Sequence, residues 1–99
     1  MLGLTRVVAA EAARKGVRVN AICPGPVTET QMSKDLGVKL GERLGVSPEE
    51  ELKGFLESVL QGRGQTADEI AAAALFLVSD QASAITGQSL NVDGGMSFY

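Results

Sequence analysis

The stretch Gly16-Val17-Arg18-Val19-Asn20-Ala21-Ile22-Cys23-Pro24-Gly25-Pro26-Val27 decides the fold. Residues 17–22 are rich in β-branched side chains and alternate in polarity, which predicts a strand. One face is apolar and the other partly so, as expected of a parallel strand inside a sheet. Pro24-Gly25-Pro26 then ends it abruptly, because neither proline can donate to a ladder. Before it, Lys15 and Gly16 form a helix stop signal, with a cation in the last turn and glycine just past it.

Working outward, Leu4, Val7, Val8 and Ala12 fall on one stripe of an upstream helix. Downstream, residues 31–44 are compatible with a helix that Gly37 and Gly41 interrupt. Ser47-Pro48-Glu49-Glu50 is a capping box with proline at the first helical position. It opens a helix with Leu52, Phe55, Leu56, Val59 and Leu60 at helical spacing, ended by Gly62-Arg63-Gly64. Thr66-Ala67-Asp68-Glu69 is a second box, whose helix puts Ala67, Ile70, Ala71, Ala74, Leu77 and Val78 on one face. Residues 88–92 form a second strand, closed by Asp93-Gly94-Gly95. Two strands alternating with three to four helices predict an α/β fold with a parallel sheet, built on one β-α-β crossover.

The chain has 99 residues and a net charge of −3, with nine basic against twelve acidic side chains. That size allows one domain at most. With no basic excess to displace counterions from phosphates, an electrostatic nucleic-acid binder is excluded. There is no histidine, which removes histidine-assisted nucleophiles and histidine-based zinc sites; no metal site is expected. Cys23 is the single cysteine, so no internal disulfide forms, and a small buried hydrophobe is the expected role. No apolar run approaches the ~18 residues of a membrane span, so a cytoplasmic protein without membrane contact is expected.

Two strands leave an open sheet edge. Each aliphatic burial contributes about 1.5–3 kcal/mol, so losing four or five costs on the order of 10 kcal/mol, comparable to a domain's whole stability. The sequence is therefore expected to be the C-terminal piece of a longer chain, folding poorly alone. Met1-Leu2-Gly3-Leu4 agrees, since it resembles helix interior without an N-cap.

In open α/β sheets ligands bind beyond the carboxyl ends of strands. That rule selects residues 23–32, and secondarily residues 93–99. Pro24 and Pro26 stiffen the first loop, Gly25 lets a flat ligand approach the backbone, and Thr28 and Thr30 offer hydroxyls. Gly62-x-Gly64-x-x-Ala67 matches a dinucleotide fingerprint but follows a helix instead of a strand, and is assigned to helix-to-helix turn chemistry. Glu49, Glu50 and Glu51 suit a helix start, as do Asp68 and Glu69. Tyr99, the last residue and only tyrosine, is expected to dock a tail and not to catalyse.

Together these segments resemble the C-terminal part of classical short-chain dehydrogenases/reductases, closest to acetoin/diacetyl reductase-like or polyol dehydrogenase-like members. The likeness runs through Gly3-Leu4-Thr5-Arg6, residues 16–27, Gly64-Gln65-Thr66-Ala67-Asp68-Glu69-Ile70-Ala71, residues 76–80, and Ile85-Thr86-Gly87-Gln88-Ser89-Leu90-Asn91-Val92-Asp93-Gly94-Gly95-Met96. The resemblance implies the C-terminal portion of one Rossmann-like, doubly wound domain over residues 1–99, with residues 30–63 as its variable substrate lobe. It implies an oxidoreductase using NAD or NADP to interconvert a secondary alcohol and a ketone. The family's catalytic tyrosine, lysine and serine have no counterpart here, so no catalytic residue is assigned and the chain alone is expected to be inactive.

What maps is the nicotinamide end. Pro24 and Gly25 supply the turn, Val27 the backbone that holds the carboxamide, and Thr28 or Thr30 a hydroxyl beside it. Thr30 is favoured, because Thr30-Gln31-Met32 keeps the family's Thr-x-Met ending. Pro26, Met32 and Phe55 are expected to face substrate. Leu36, Val38, Leu40 and Phe55 either line an apolar pocket or pack the lobe onto the core. The resemblance also implies tetramers in the full-length form. An alternative is a non-catalytic truncated paralogue that associates with full-length subunits.

Overall fold

A computed structural model describes residues 2–27, 38–39, 42–43, 45 and 47–97. Their elements are α1 (Leu2–Ala12), β1 (Ala21–Pro24), α2 (Pro48–Leu56), α3 (Ala67–Val78) and β2 (Ser89–Val92), with short 3₁₀ turns at Ala13–Lys15 and Asp80–Ala82. β1 and β2 pair in parallel, placing Ala21 beside Ser89 and Pro24 beside Val92. The result is a small α/β unit with two parallel strands, as the alternation of helix and strand signals implies.

Local chemistry sets most element ends. Gly16 takes a left-handed φ of 76° and its N–H donates to the Ala13 carbonyl, closing the 3₁₀ turn that follows α1 where the sequence places the stop. The Ser47 hydroxyl accepts from the Glu50 N–H at 3.2 Å, with proline at the first helical turn of α2. At α3 the box is reciprocal: Glu69 N–H donates to the Thr66 hydroxyl at 3.1 Å, and Thr66 N–H to the Glu69 carboxylate at 2.9 Å. α3 has no basic residue in its last turn. Arg18 supplies the cation from a distance, its guanidinium donating to the carbonyls of Leu77 (2.7 Å), Ser79 (3.2 Å) and Ile85 (3.4 Å). Carbonyls left over at a helix end are thus satisfied by a charge-assisted donor.

Four expectations need correcting. The first strand begins at Ala21, not Val17, and runs through Pro24. Residues 19 and 20 bond sideways instead. Val19 N–H reaches the Thr86 hydroxyl (3.1 Å), Gly87 N–H the Val19 carbonyl (2.7 Å), and the Asn20 amide both the Ile85 carbonyl (2.9 Å) and the Gln88 N–H (3.1 Å). Pro24 is tolerated because Ala21 and Gly25 donate to the carbonyls of Gln88, just before β2, and Val92, its last residue. The nitrogen of residue 24, on the opposite phase, faces the outer edge, where a missing N–H costs the ladder nothing.

Second, α2 ends at Leu56. Successive tight turns follow, from Val59 N–H to the Leu56 carbonyl and from Gly62 N–H to the Val59 carbonyl, while Gln61 N–H turns away to Gly94. Val59 is buried and Leu60 exposed, so they do not extend a helical stripe. Third, the inward face of α3 is rotated: Leu77 is buried, while Val78 is 75% exposed. The α1 stripe of Leu4, Val7 and Val8 also points outward, with Thr5 and Ala9 buried in its place.

The apolar core among the described residues is Ala9, Val59, Leu77 and Ala82. An open groove of about 520 Å³ lies between residues 16–22 and α3, with Ile22, Ala74 and Leu77 in its walls. No helix among the described residues is long and apolar enough to cross a membrane. The expected helix over 31–44 falls mostly outside the described residues, as do Leu36, Leu40 and Tyr99.

Candidate functional site

Pro24-Gly25-Pro26-Val27 leaves the carboxyl end of β1, where the strand-end rule places a ligand crevice. Gly25 N–H donates to the Val92 carbonyl at 2.9 Å, and Gln65 N–H donates to the Pro26 carbonyl at 2.8 Å. The bend is therefore held from β2 on one side and from the approach to α3 on the other. Val27 is half-buried at its end.

Gly25 is glycine for a reason different from the one read in the sequence. A Cβ there would collide with Gln65 Oε1 and would lie 2.7 Å from Asp93 Cα and 2.8 Å from Asp93 Cβ. The chain itself fills that space, so no ligand is needed to exclude a side chain.

The turn after β2 is equally constrained. The buried Asp93 carboxylate accepts three backbone N–H bonds, from Gly95 (3.0 Å), Met96 (3.2 Å) and Ser97 (3.0 Å). This local capping wraps residues 93–97 back over the end of the sheet. Between the turn and the bend lies a cavity of about 140 Å³, with Cys23, Pro24, Gly25, Ser89, Asn91 and Ser97 among its walls. At ~30 Å³ per water, that space suits a few waters or one small planar group. Cys23 is half-buried and lies on this side, its Sγ 3.1 Å from the Ser89 hydroxyl.

Behind the bend, Arg63 donates to both Glu69 oxygens, at 2.8 and 2.9 Å. That hydrogen bonding, helped by the Thr66 N–H, lowers the Glu69 carboxyl from 4.5 to about 2. Glu69 raises the Arg63 guanidinium in turn. The pair locks the turn that presents Gln65. Gly62 and Gly64 serve this helix-to-helix connection, with Gly62 at φ 68°; the element immediately before them is α2, not a strand.

Of the expected site residues, Pro24 and Gly25 line the cavity. Pro26 directs its carbonyl to Gln65. Phe55 sits on α2, 42% exposed, and does not line the cavity. Val38 is likewise exposed. Thr28, Thr30 and Met32 lie outside the described residues. Gln65 goes unassigned in the sequence, and Asp93 reads there only as the close of the second strand and the start of the secondary loop. An aspartate before Gly-Gly is a legible turn signal, but nothing local marks Gln65.

The residues present fit one end of a nicotinamide dinucleotide and not the whole of it. A stiff bend with backbone polar groups and a small cavity stand at the strand ends, without a glycine-rich phosphate cradle after a strand among the described residues.

A family model described as Enoyl-(Acyl carrier protein) reductase matches residues 1–97. The 2-(S)-hydroxypropyl-CoM dehydrogenase 3 of Xanthobacter autotrophicus is 44% identical over 97 residues, covering 98% of this chain and 36% of that protein. A putative ketoacyl reductase of granaticin polyketide synthase from Streptomyces violaceoruber is 40% identical over 99 residues, 36% of its length. In structure, sorbitol-6-phosphate 2-dehydrogenase from Erwinia amylovora superposes with a TM-score of 0.93 at 33% identity, over 99% of this chain and 38% of that one. An actinorhodin polyketide ketoreductase solved with NADPH gives 0.89 at 37% identity, over 99% and 37%. The chain thus spans little more than a third of each relative. With its Rossmann-type α/β arrangement and a match from end to end, it belongs to the short-chain dehydrogenase/reductase family.

Proposed function

We propose that this chain is the nicotinamide-side portion of an NAD(P)-dependent oxidoreductase that interconverts a secondary alcohol and a ketone on a small molecule. The observation that carries the reading is the Pro24–Gly25 bend at the carboxyl end of a parallel strand, closed from behind by Gln65 and flanked by the Asp93 turn. With the Gly25 N–H and the Pro26 carbonyl engaged within the fold, and no N–H on either proline, it is the Val27 backbone that the bend carries toward a carboxamide. Pro24, Gly25 and Val27 hold the nicotinamide end, Thr30 adds a hydroxyl with Thr28 as its competitor, and Pro26, Met32 and Phe55 face substrate. The cofactor, when bound, supplies or accepts the hydride. This chain's part is to orient the ring and exclude water from one side.

The names of the relatives support the reaction class, as dehydrogenases and ketoacyl reductases. Residues 30–63 form the substrate lobe, and the whole protein works in the cytoplasm as a homotetramer. The test is a chimera in which residues 1–97 replace the matching segment of the Xanthobacter dehydrogenase. It should bind NADH or NADPH and reduce a small ketone such as diacetyl, while the 99-residue chain alone gives no turnover. A folded chimera that binds neither nucleotide overturns the proposal.

A further inference from the structure

Gln65 has the smallest exposure of the buried polar residues, 4%, and it stands where the bend after β1, the exit from α2 and the turn after β2 meet. Its side chain fills the space missing from two glycines at once. Oε1 crowds the position that a Cβ would take at Gly25, and Nε2 lies 2.8 Å from where one would stand at Gly94. Gly94 adopts φ 65° and is also hemmed in by Val59, whose Cγ1 lies 2.9 Å from the same position. The exit from α2 is fastened to the same turn, by Gln61 N–H donating to the Gly94 carbonyl at 3.0 Å.

The amide makes little use of its polarity. Oε1 is buried and accepts no hydrogen bond, and Nε2 reaches the Arg63 carbonyl only at 3.4 Å, the long limit of such a bond. The contribution of this side chain is its shape. Its bulk fills the gap between the two turns at the ends of β1 and β2.

We propose that Gln65 is a positioning residue, a wedge that fixes the bend at Gly25–Val27 against the Asp93 turn and acts on the cofactor only through that bend. This inference rests on the reading that the bend receives the nicotinamide. The Gln65 N–H bond to Pro26 belongs to the backbone and survives side-chain replacement, so substitutions isolate the wedge.

In the chimera, Gln65→Ala should weaken NADH or NADPH binding about tenfold. Binding of ADP-ribose, which lacks the nicotinamide, should stay within twofold; a general loss of structure would weaken both. Gln65→Met, similar in length and without hydrogen-bonding groups, should restore nucleotide affinity to within twofold of the parent. Equal weakening of NADH and ADP-ribose, or no weakening by Gln65→Ala, overturns the wedge. A Gln65→Met variant as weak as Gln65→Ala also overturns it, since the amide would then be bonding directly. Should the folded parent bind no nucleotide, the functional reading fails and amide exchange decides the wedge: Gln65→Ala must speed exchange at Gly25 and Gly95 while Gln65→Met does not, and unchanged rates overturn it.

Discussion

The carboxyl end of the sheet and its flanking helices obey different physics in this chain. At the sheet end, buried backbone and carboxylate groups find partners, the side-chain oxygen of Gln65 excepted. Asp93 gathers three N–H donors, Gly25 bonds Val92, and Gln65 N–H bonds Pro26. Along the helices the reverse holds: Leu4, Val7, Leu75 and Val78 are apolar and exposed, Leu75 by 70%. The turns at the sheet end are held by partners among the described residues, whereas the helix flanks present apolar surface of the kind a core buries. Geometry for a ligand and stability of the fold are therefore supplied by separate parts of the sequence.

Four substitutions probe that division, each measured in the chimera. Gly25→Ala should do the most damage, because its methyl meets Asp93 backbone atoms that cannot step aside. Denaturant unfolding should show a loss of about 3 kcal/mol, the upper range of overpacking. Adding Gln65→Ala should recover only part of it, and full recovery would mean that the Asp93 contact is soft.

Arg18→Met comes next, removing a charged donor from the Leu77, Ser79 and Ile85 carbonyls. A loss of roughly 2 kcal/mol in the same measurement is expected, with Arg18→Lys restoring only part because a single ammonium cannot span the three acceptors. A neutral Arg18→Met would place the stability of α3 elsewhere.

Thr30→Ala should weaken NADH or NADPH binding by ~0.5–1.5 kcal/mol in calorimetry, one hydrogen bond, while Thr28→Ala leaves it unchanged. The reverse order would exchange the two assignments.

Glu69→Gln should have the smallest effect, visible only in acid. The Glu69 carboxyl is lowered from 4.5 to about 2, so its contribution is full above the ordinary carboxylate range and is lost as pH falls from there toward 2. Glu69→Gln should flatten that part of the unfolding-versus-pH curve and leave the neutral region nearly unchanged. An unaltered acid limb would show that the Arg63 pair does not stabilise the turn.

The sequence was most legible where structure depends on neighbours in the chain. Gly16 after Lys15, and Thr66 with Glu69, fix helix ends through contacts within a few residues, and both appear as read. Legibility failed where the deciding partner was distant. Val19 and Asn20 carry strand chemistry, yet their bonds go to residues 85–88, and only the fold brings those near. Gly25 was marked by its prolines as special, but its cause is Gln65 and Asp93, forty and sixty-eight positions away in sequence. The α1 periodicity was real, but periodicity does not say what covers a stripe. Thr28, Thr30 and Met32 lie beyond the described residues, so the reading of those positions stands on resemblance alone.

The phase of Pro24 carries one more consequence. A strand laid along the outer rim of β1 would find an N–H at Ile22 and none at Pro24, so hydrogen-bonded zippering must stop one rung short of the bend. The imino acid punctuates that rim, hindering edge-to-edge clumping.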